Sequence, residues 1–203
     1  MSALIKDEEI QEQLLKAAKQ LFQLHGFRKV TIDDIAKAIG KARSSLYYYY
    51  KTKEEILDAV IAAEVRELMA AINDAINLAS SAEGKIKAFF LANLQTILEK
   101  RGFFNALDEG MDARELSGYQ KTKLAFHQQI WQQQGALLSQ IITEGAGRGE
   151  LIQLSQKDQE NLIFALQSSL HGLKREMVIR NDFSNIEPSV DVLIRFIIHG
   201  LKR

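Results

Sequence analysis

The sequence predicts an all-α protein, and three observations carry this. Proline and glycine are scarce, with Pro188 the only proline and 12 glycines in 203 residues, while Ala, Leu, Ile, Lys, Glu and Gln dominate. These small or straight-chain residues lose little entropy in a helix. Apolar residues recur at three- and four-residue intervals along most of the chain. No stretch shows the alternation of a half-buried strand, and there is no internal repeat or low-complexity tract.

About nine helices are expected. From Glu8 to His25 the residues Ile10, Leu14, Ala17, Leu21 and Phe22 line one helix face, and Gly26 supplies a left-handed stop. Thr31 opens a short helix over Ile32–Ile39 as its N-cap, with Asp34 in capping-box register. Gly40 breaks that helix and a second short one spans about Ala42–Tyr49, after which Thr52 and Glu55 cap the next start. Ile56, Val60, Ala63, Leu68, Ile72 and Ile76 then mark a rod to about Leu78. Further helices are expected over about Ala82–Lys100, Phe103–Asp112 and Glu115–Ala146, with Gly102 as an interruption and Gly145, Gly147 and Gly149 as the terminus. Ser155 with Asp158 caps a rod to about Arg180, Asn181 to Glu187 reads as a loop, and Pro188 begins a last helix to Leu201. The expected division is a three-helix domain over 1–53 and a larger helical domain over 54–203.

Composition narrows the function. The chain is neutral overall, yet residues 14–53 hold nine basic side chains against two acidic ones, so the remainder is acidic. Such polarity suits a nucleic-acid-binding head on a body repelled by the same polyanion. Absence of cysteine excludes disulfides and thiolate sites. A cytoplasmic location is expected, because the amino terminus turns acidic after five residues and no stretch approaches about 18 uncharged apolar residues. No membrane partner is expected either. Neither a Gly-rich phosphate loop, a Gly-x-Ser-x-Gly elbow nor an aspartate-rich metal motif occurs, and no histidine has a glutamate three residues before it. The reading is therefore no enzyme, no catalytic residue, no cofactor and no metal.

The short second and third helices have the chemistry of a helix-turn-helix. Ala36 offers a small side chain where the two helices meet, Gly40 a turn residue at ease with positive φ, and Leu46 a large plug for the shared core. Ile35, Ile39 and Tyr50 complete that core.

The segment KAAKQLFQLHGFRKVTIDDIAKAIGKARSSLYYYYKTKEEIL, residues 16–57, resembles the DNA-binding domain of the TetR family. The most specific parts are Phe22 and Gly26-Phe27, then Thr31-Ile32-Asp34-Ile35-Ala36, and finally Leu46-Tyr47-Tyr48-Tyr49-Tyr50-Lys51-Thr52-Lys53. Tyr50 departs from the family's usual phenylalanine, and a buried phenol wants a partner. The resemblance implies a dimeric bacterial repressor, bound to palindromic double-stranded operator DNA and released by a small-molecule effector. Ala42–Tyr49 is then the recognition helix, with Arg43, Ser44 and Ser45 at base edges and Arg43 shaped to read guanine. Tyr48 and Tyr49 are expected on bases or sugars, Thr31, Tyr47 and Lys53 on phosphates, and Lys41 and Lys51 as helpers.

Residues 58–203 resemble the family in helix number and order alone, which implies dimerisation and sensing without naming a ligand. The last two helices supply stripes for an isologous homodimer through Leu162, Ala165, Leu166, Ser169, Leu170 and Leu173 and through Leu193, Phe196, Ile197, Gly200 and Leu201. Pocket candidates for an unidentified, mostly apolar effector are Phe89, Phe90, Asn93, Phe103, Phe104, Tyr119, Phe126, His127, Trp131, Phe164, Gln167 and His171. An architectural or activator protein with the same head and no effector stays open.

Overall fold

The computed structural model describes residues 2–111 and 113–202. Eight α-helices are delineated among them: α1 (Ser2–His25), α2 (Ile32–Ala38), α3 (Arg43–Tyr49), α4 (Lys53–Asn77), α5 (Ala82–Gly110), α6 (Ala113–Gly147), α7 (Gln156–Arg180) and α8 (Ile186–Leu201). No strand occurs among the described residues.

The expected caps are present. Thr31 Oγ1 accepts from the Asp34 amide at 3.2 Å, while the Asp34 carboxylate accepts from the Thr31 amide at 2.9 Å, so two amides at the start of α2 are satisfied reciprocally. The Thr52 hydroxyl accepts from the Glu55 amide at 3.1 Å, and Ser155 accepts from Asp158 at 3.2 Å. Gly40 has φ 65° in the turn between α2 and α3, where a side chain would be strained.

Three boundaries differ from expectation. Helix α1 begins at Ser2 rather than Glu8. Gly102 does not interrupt: α5 is one helix from Ala82 to Gly110, because a single glycine costs only about 1 kcal/mol against the burial of Phe103 and Leu107 beyond it. The expected end of the shorter helix at Asp112 lies outside the described residues. Helix α8 starts at Ile186, and Pro188 falls within its first turn, where no backbone donor is required.

The chain packs as two compact units. The first comprises residues 1–66 and 100–126, and the second 67–99 and 127–203. The first thus takes in more than residues 1–53, because Ile56, Leu57, Val60 and Ile61 of α4, with Phe103, Leu107 and Tyr119, join the core built by Leu14, Ala18, Phe22, Phe27, Ile35 and Leu46. Within it Glu64 is 4% exposed and held between Lys19 at 2.5 Å and Lys100 at 2.6 Å, which pays for burying the carboxylate. The second unit buries Ile72, Ile86, Phe89, Phe90, Leu94, Leu138, Ile142, Leu166, Leu170, Ile194 and Ile198. Gly145 lets α6 approach closely, since a Cβ there would sit 2.7 Å from Ala82 Cβ and 3.0 Å from Leu151 Cδ1.

Candidate functional site

The α2–α3 pair sorts its side chains as a helix-turn-helix requires. Ile35, Ala36 and Leu46 are buried, whereas Lys41, Arg43, Ser44, Ser45, Tyr48 and Lys51 are exposed. One face of α3 therefore anchors to the core and the rest is open.

Arg43, the first residue of α3, is held in place. Its Nη1 donates to Asp33 Oδ2 at 3.0 Å, and its Nη2 and Nε donate to Tyr47 Oη at 2.6 and 3.1 Å. The Tyr47 hydroxyl, followed by the Asp33 carboxylate, pushes the guanidinium pKa above its ordinary value. Tyr47 is half-buried beneath that guanidinium, whose carbon lies 5.2 Å from the ring centroid.

The four tyrosines separate. Tyr48 is 73% exposed and free to touch a ligand. Tyr49, expected on bases or sugars, instead turns to α1: its hydroxyl donates to Asp7 Oδ1 at 2.5 Å, and that carboxylate pushes its pKa up to about 12. It also packs against the core, as does Tyr50. Lys51 closes α3 by donating to the Tyr47 carbonyl at 2.5 Å. Lys53, expected on a phosphate, is half-buried, donates to the Phe27 carbonyl at 2.9 Å and stands 4.1 Å above the Phe27 ring. It is first a strut between α4 and the turn after α1. Thr31 is exposed, but its hydroxyl is already engaged with Asp34.

Pocket candidates fall in both units. Phe103, Phe104, Tyr119 and Phe126 belong to the first, where Phe103 and Tyr119 are core residues. Phe89, Phe90, Asn93, His127, Trp131, Phe164, Gln167 and His171 belong to the second. There Phe89 and Phe90 are wholly buried in the core, so neither offers surface to a ligand. His127, Trp131, Phe164 and His171 do come together: Trp131 stacks on His171 at 5.4 Å and 25°, and meets Phe164 at 5.9 Å. His171 meets His127 at 5.0 Å. Gln167 donates to the Trp131 carbonyl at 2.7 Å. A groove of about 340 Å³ lined by Trp131, Gly135, Ile163, Phe164 and Gln167 opens beside them. Lys174 was not among the expected site residues, although it lies three residues beyond His171 on the same face of α7.

The apolar stripes of α7 and α8 also divide. Leu166 and Leu170 are 0% exposed and Leu201 is 9%, so these three fill the unit's own core rather than offering a face to another chain. Leu162, Leu173, Leu193 and Ile197 are partly buried against that core, and Ser169 turns its hydroxyl to the Ala165 carbonyl. Phe196 and Gly200 are exposed, as are Phe164, Ala165, Ser168, Gly172, Ile179 and Val192, most of which the apolar spacing had not singled out.

Residues 14–60 match the family described as bacterial regulatory proteins, tetR family. That stretch, which holds α2 and α3, is similar to the amino-terminal domain of this family. Sequence similarity to curated proteins is partial: the HTH-type transcriptional repressor KstR2 of Mycobacterium tuberculosis is 28% identical over 85 residues, 42% of this chain and 42% of KstR2. The HTH-type transcriptional regulator SrpR of Pseudomonas putida is 33% identical over 61 residues, 30% of this chain and 29% of SrpR. The matched stretches thus span less than half of either relative. The fold extends further. A TetR transcription regulator from Haloarcula marismortui aligns over 97% of this chain and 100% of its own with a TM-score of 0.72 at 19% identity. The fatty acid degradation regulator FadR from Bacillus halodurans aligns over 93% and 94% with a TM-score of 0.63 at 21% identity. The TetR fold therefore covers nearly the whole chain. No helix of the described residues is long and apolar enough to cross a membrane.

Proposed function

We propose that the protein is a transcriptional repressor that binds a palindromic operator as a two-fold dimer and releases it when a small molecule occupies the body. One observation carries the reading: in a TetR-type helix-turn-helix, Leu46 anchors α3 while Arg43, Ser44, Ser45 and Tyr48 remain exposed around it. A helix so presented fits the major groove, where the arginine fork matches guanine O6 and N7. Thr31, Lys41, Tyr47, Lys51 and Lys53 flank it as phosphate-side residues.

The exposed apolar side chains Ile179, Val192 and Phe196, with small Ala165, Ser168, Gly172 and Gly200 among them, favour α7 and α8 as the isologous interface. Two copies present two α3 helices to successive major grooves, about 34–36 Å apart on B-DNA. Helix α4 carries residues of both compact units, which suits it to convey a change in the body to the head. A ligand that prefers wrongly spaced heads must weaken DNA binding by the factor by which DNA weakens the ligand, a coupling of about 1–3 kcal/mol. His127, Trp131, Phe164, Gln167 and His171 form the sensing cluster in this reading.

The test is to pass a metabolite library over the protein on its operator, following release and dimer mass together, and to repeat it with Trp131→Ala and His171→Ala. Release without loss of the dimer, blunted in at least one variant whose ligand-free DNA affinity is intact, supports the sensor. A body that takes up no compound and shows no melting shift favours the activator or architectural alternative.

A further inference from the structure

We propose that the body holds an organic carboxylate, its anionic group seated on the Lys174 ammonium at the inner end of a file of basic and amide side chains. Phe164, Gln167, His171 and Lys174 share one face of α7, which meets His127 and Trp131 of α6. His127 is exposed, and His171 beside it is half-buried. The Lys174 side chain is half-buried too, but its ammonium is drawn inside to Asn93, which is 1% exposed and bonded to Gln134, 2% exposed.

The file carries three basic groups and no balancing acid. No carboxylate of the described residues pairs with Lys174, whose one hydrogen bond is a long one, 3.3 Å to Asn93 Oδ1. That oxygen already accepts from Gln134 Nε2 at 2.7 Å, and Asn93 Nδ2 donates to the Phe89 carbonyl at 2.9 Å. An ammonium has three hydrogens to donate, so most of its capacity is unspent in an interior where unpaired charge is costly. Burial lowers the Lys174 pKa to about 8, which leaves it cationic at neutral pH. Burial, then Lys174 and His127, lowers that of His171.

An incoming carboxylate supplies what is missing: one oxygen on Lys174 Nζ and the other toward the His171 ring. Its organic part adjoins the groove of about 340 Å³ through the shared residues Trp131, Phe164 and Gln167. A dianionic phosphate brings more charge than one ammonium and a half-buried imidazole balance, and no arginine stands in the file. That this occupant is the effector rests on the sensing role proposed above; the binding site itself does not.

Trp131 is the sole tryptophan, so intrinsic fluorescence reports the site directly. The probes are 4-phenylbutyrate and octanoate, their primary amides, and phenyl phosphate. Both carboxylates are expected to bind saturably and about tenfold or more tighter than the amides. Lys174→Met should bring each pair to parity while operator binding and helicity are kept, and Lys174→Arg should retain the preference. The proposal is overturned if carboxylate and amide bind alike, if no carboxylate saturates, if phenyl phosphate binds tighter, or if K174M keeps the preference. A neutral compound that releases DNA equally from wild type and K174M, where the carboxylate preference is missing, leaves the sensor standing and removes the anion site. A carboxylate that binds through Lys174 without releasing DNA does the reverse.

Discussion

Arg43 Nη1 lies 3.0 Å from Asp33 Oδ2, so the side chain best suited to reading a base is held by the preceding helix of its own domain. Both groups are about half-exposed, at 54% and 42%, and such a pair adds little to stability. Its consequence is for binding, because Arg43 must leave Asp33 to reach a guanine and the Asp33 carboxylate faces the same polyanion. Asp33→Asn is expected to raise affinity several-fold on cognate and scrambled duplexes alike, and Arg43→Ala to lower it roughly ten- to hundredfold, mainly on the cognate one. Fluorescence anisotropy on both duplexes checks this. Weaker cognate binding by Asp33→Asn would show that Asp33 aims Arg43 rather than withholding it.

Adjacent tyrosines should behave differently. Tyr48→Ala removes the most exposed ring on α3 and is expected to weaken DNA binding without a change in melting temperature. Tyr49→Phe removes the hydroxyl that reaches Asp7 and should leave DNA affinity nearly intact. Thermal melts and anisotropy on both variants separate the roles, and a reversed pattern contradicts the orientation of α3.

The capping box makes the head acid-sensitive. Hydrogen bonds from the Thr31 hydroxyl and amide hold the Asp34 carboxyl below its ordinary value of 3.8. Because the folded pKa is depressed, the stabilisation is fully present above that ordinary value and is lost as pH falls through the folded one. Thr31→Ala should cost about 1 kcal/mol at neutral pH. It should also flatten this acid limb in urea titrations between pH 5 and pH 2, roughly the window over which such carboxyls titrate. An unchanged limb contradicts the assignment.

The parts legible in the sequence are local ones. Thr31 with Asp34 and Ser155 with Asp158 announce their helices because a cap needs only a residue and its neighbour three positions on. Ala36, Gly40 and Leu46 announce the helix-turn-helix for a similar reason. Packing over longer range was less readable. Apolar spacing marks Leu166, Leu170 and Phe196 alike, and only the fold sends the first two into the core and leaves the third 69% exposed. Tyr49 looked like its neighbour Tyr48 until Asp7, 42 residues earlier, claimed its hydroxyl. Lys174 reads as a solvated helix residue, and its burial against Asn93 depends on a helix 81 residues away.

A lysine so placed is expected to destabilise the unit that holds it. Lys174→Met should raise stability by about 1–3 kcal/mol at neutral pH, since an apolar residue of similar length replaces a buried charge. The sign follows from its depressed folded pKa, about 8 against 10.5. Below about 8 the lysine is charged in both states and the burial penalty is constant, whereas between about 8 and 10.5 the unfolded chain binds more protons and wild-type stability rises with pH. The gap between variant and wild type should therefore narrow as pH is raised from 7 to 10. Urea midpoints at both ends of that range decide it, and a variant less stable than wild type at pH 7 contradicts the buried-cation reading.

The central claim is that two copies of the α2–α3 head read a two-fold symmetric site. Binding-site selection on random duplexes, read out by sequencing the retained pool, tests it most directly. The expected result is an inverted repeat whose half-sites are spaced by about one helical turn, with guanine enriched at a position that Arg43→Ala relaxes. A retained pool without sequence preference, bound only in proportion to falling salt, would contradict the account.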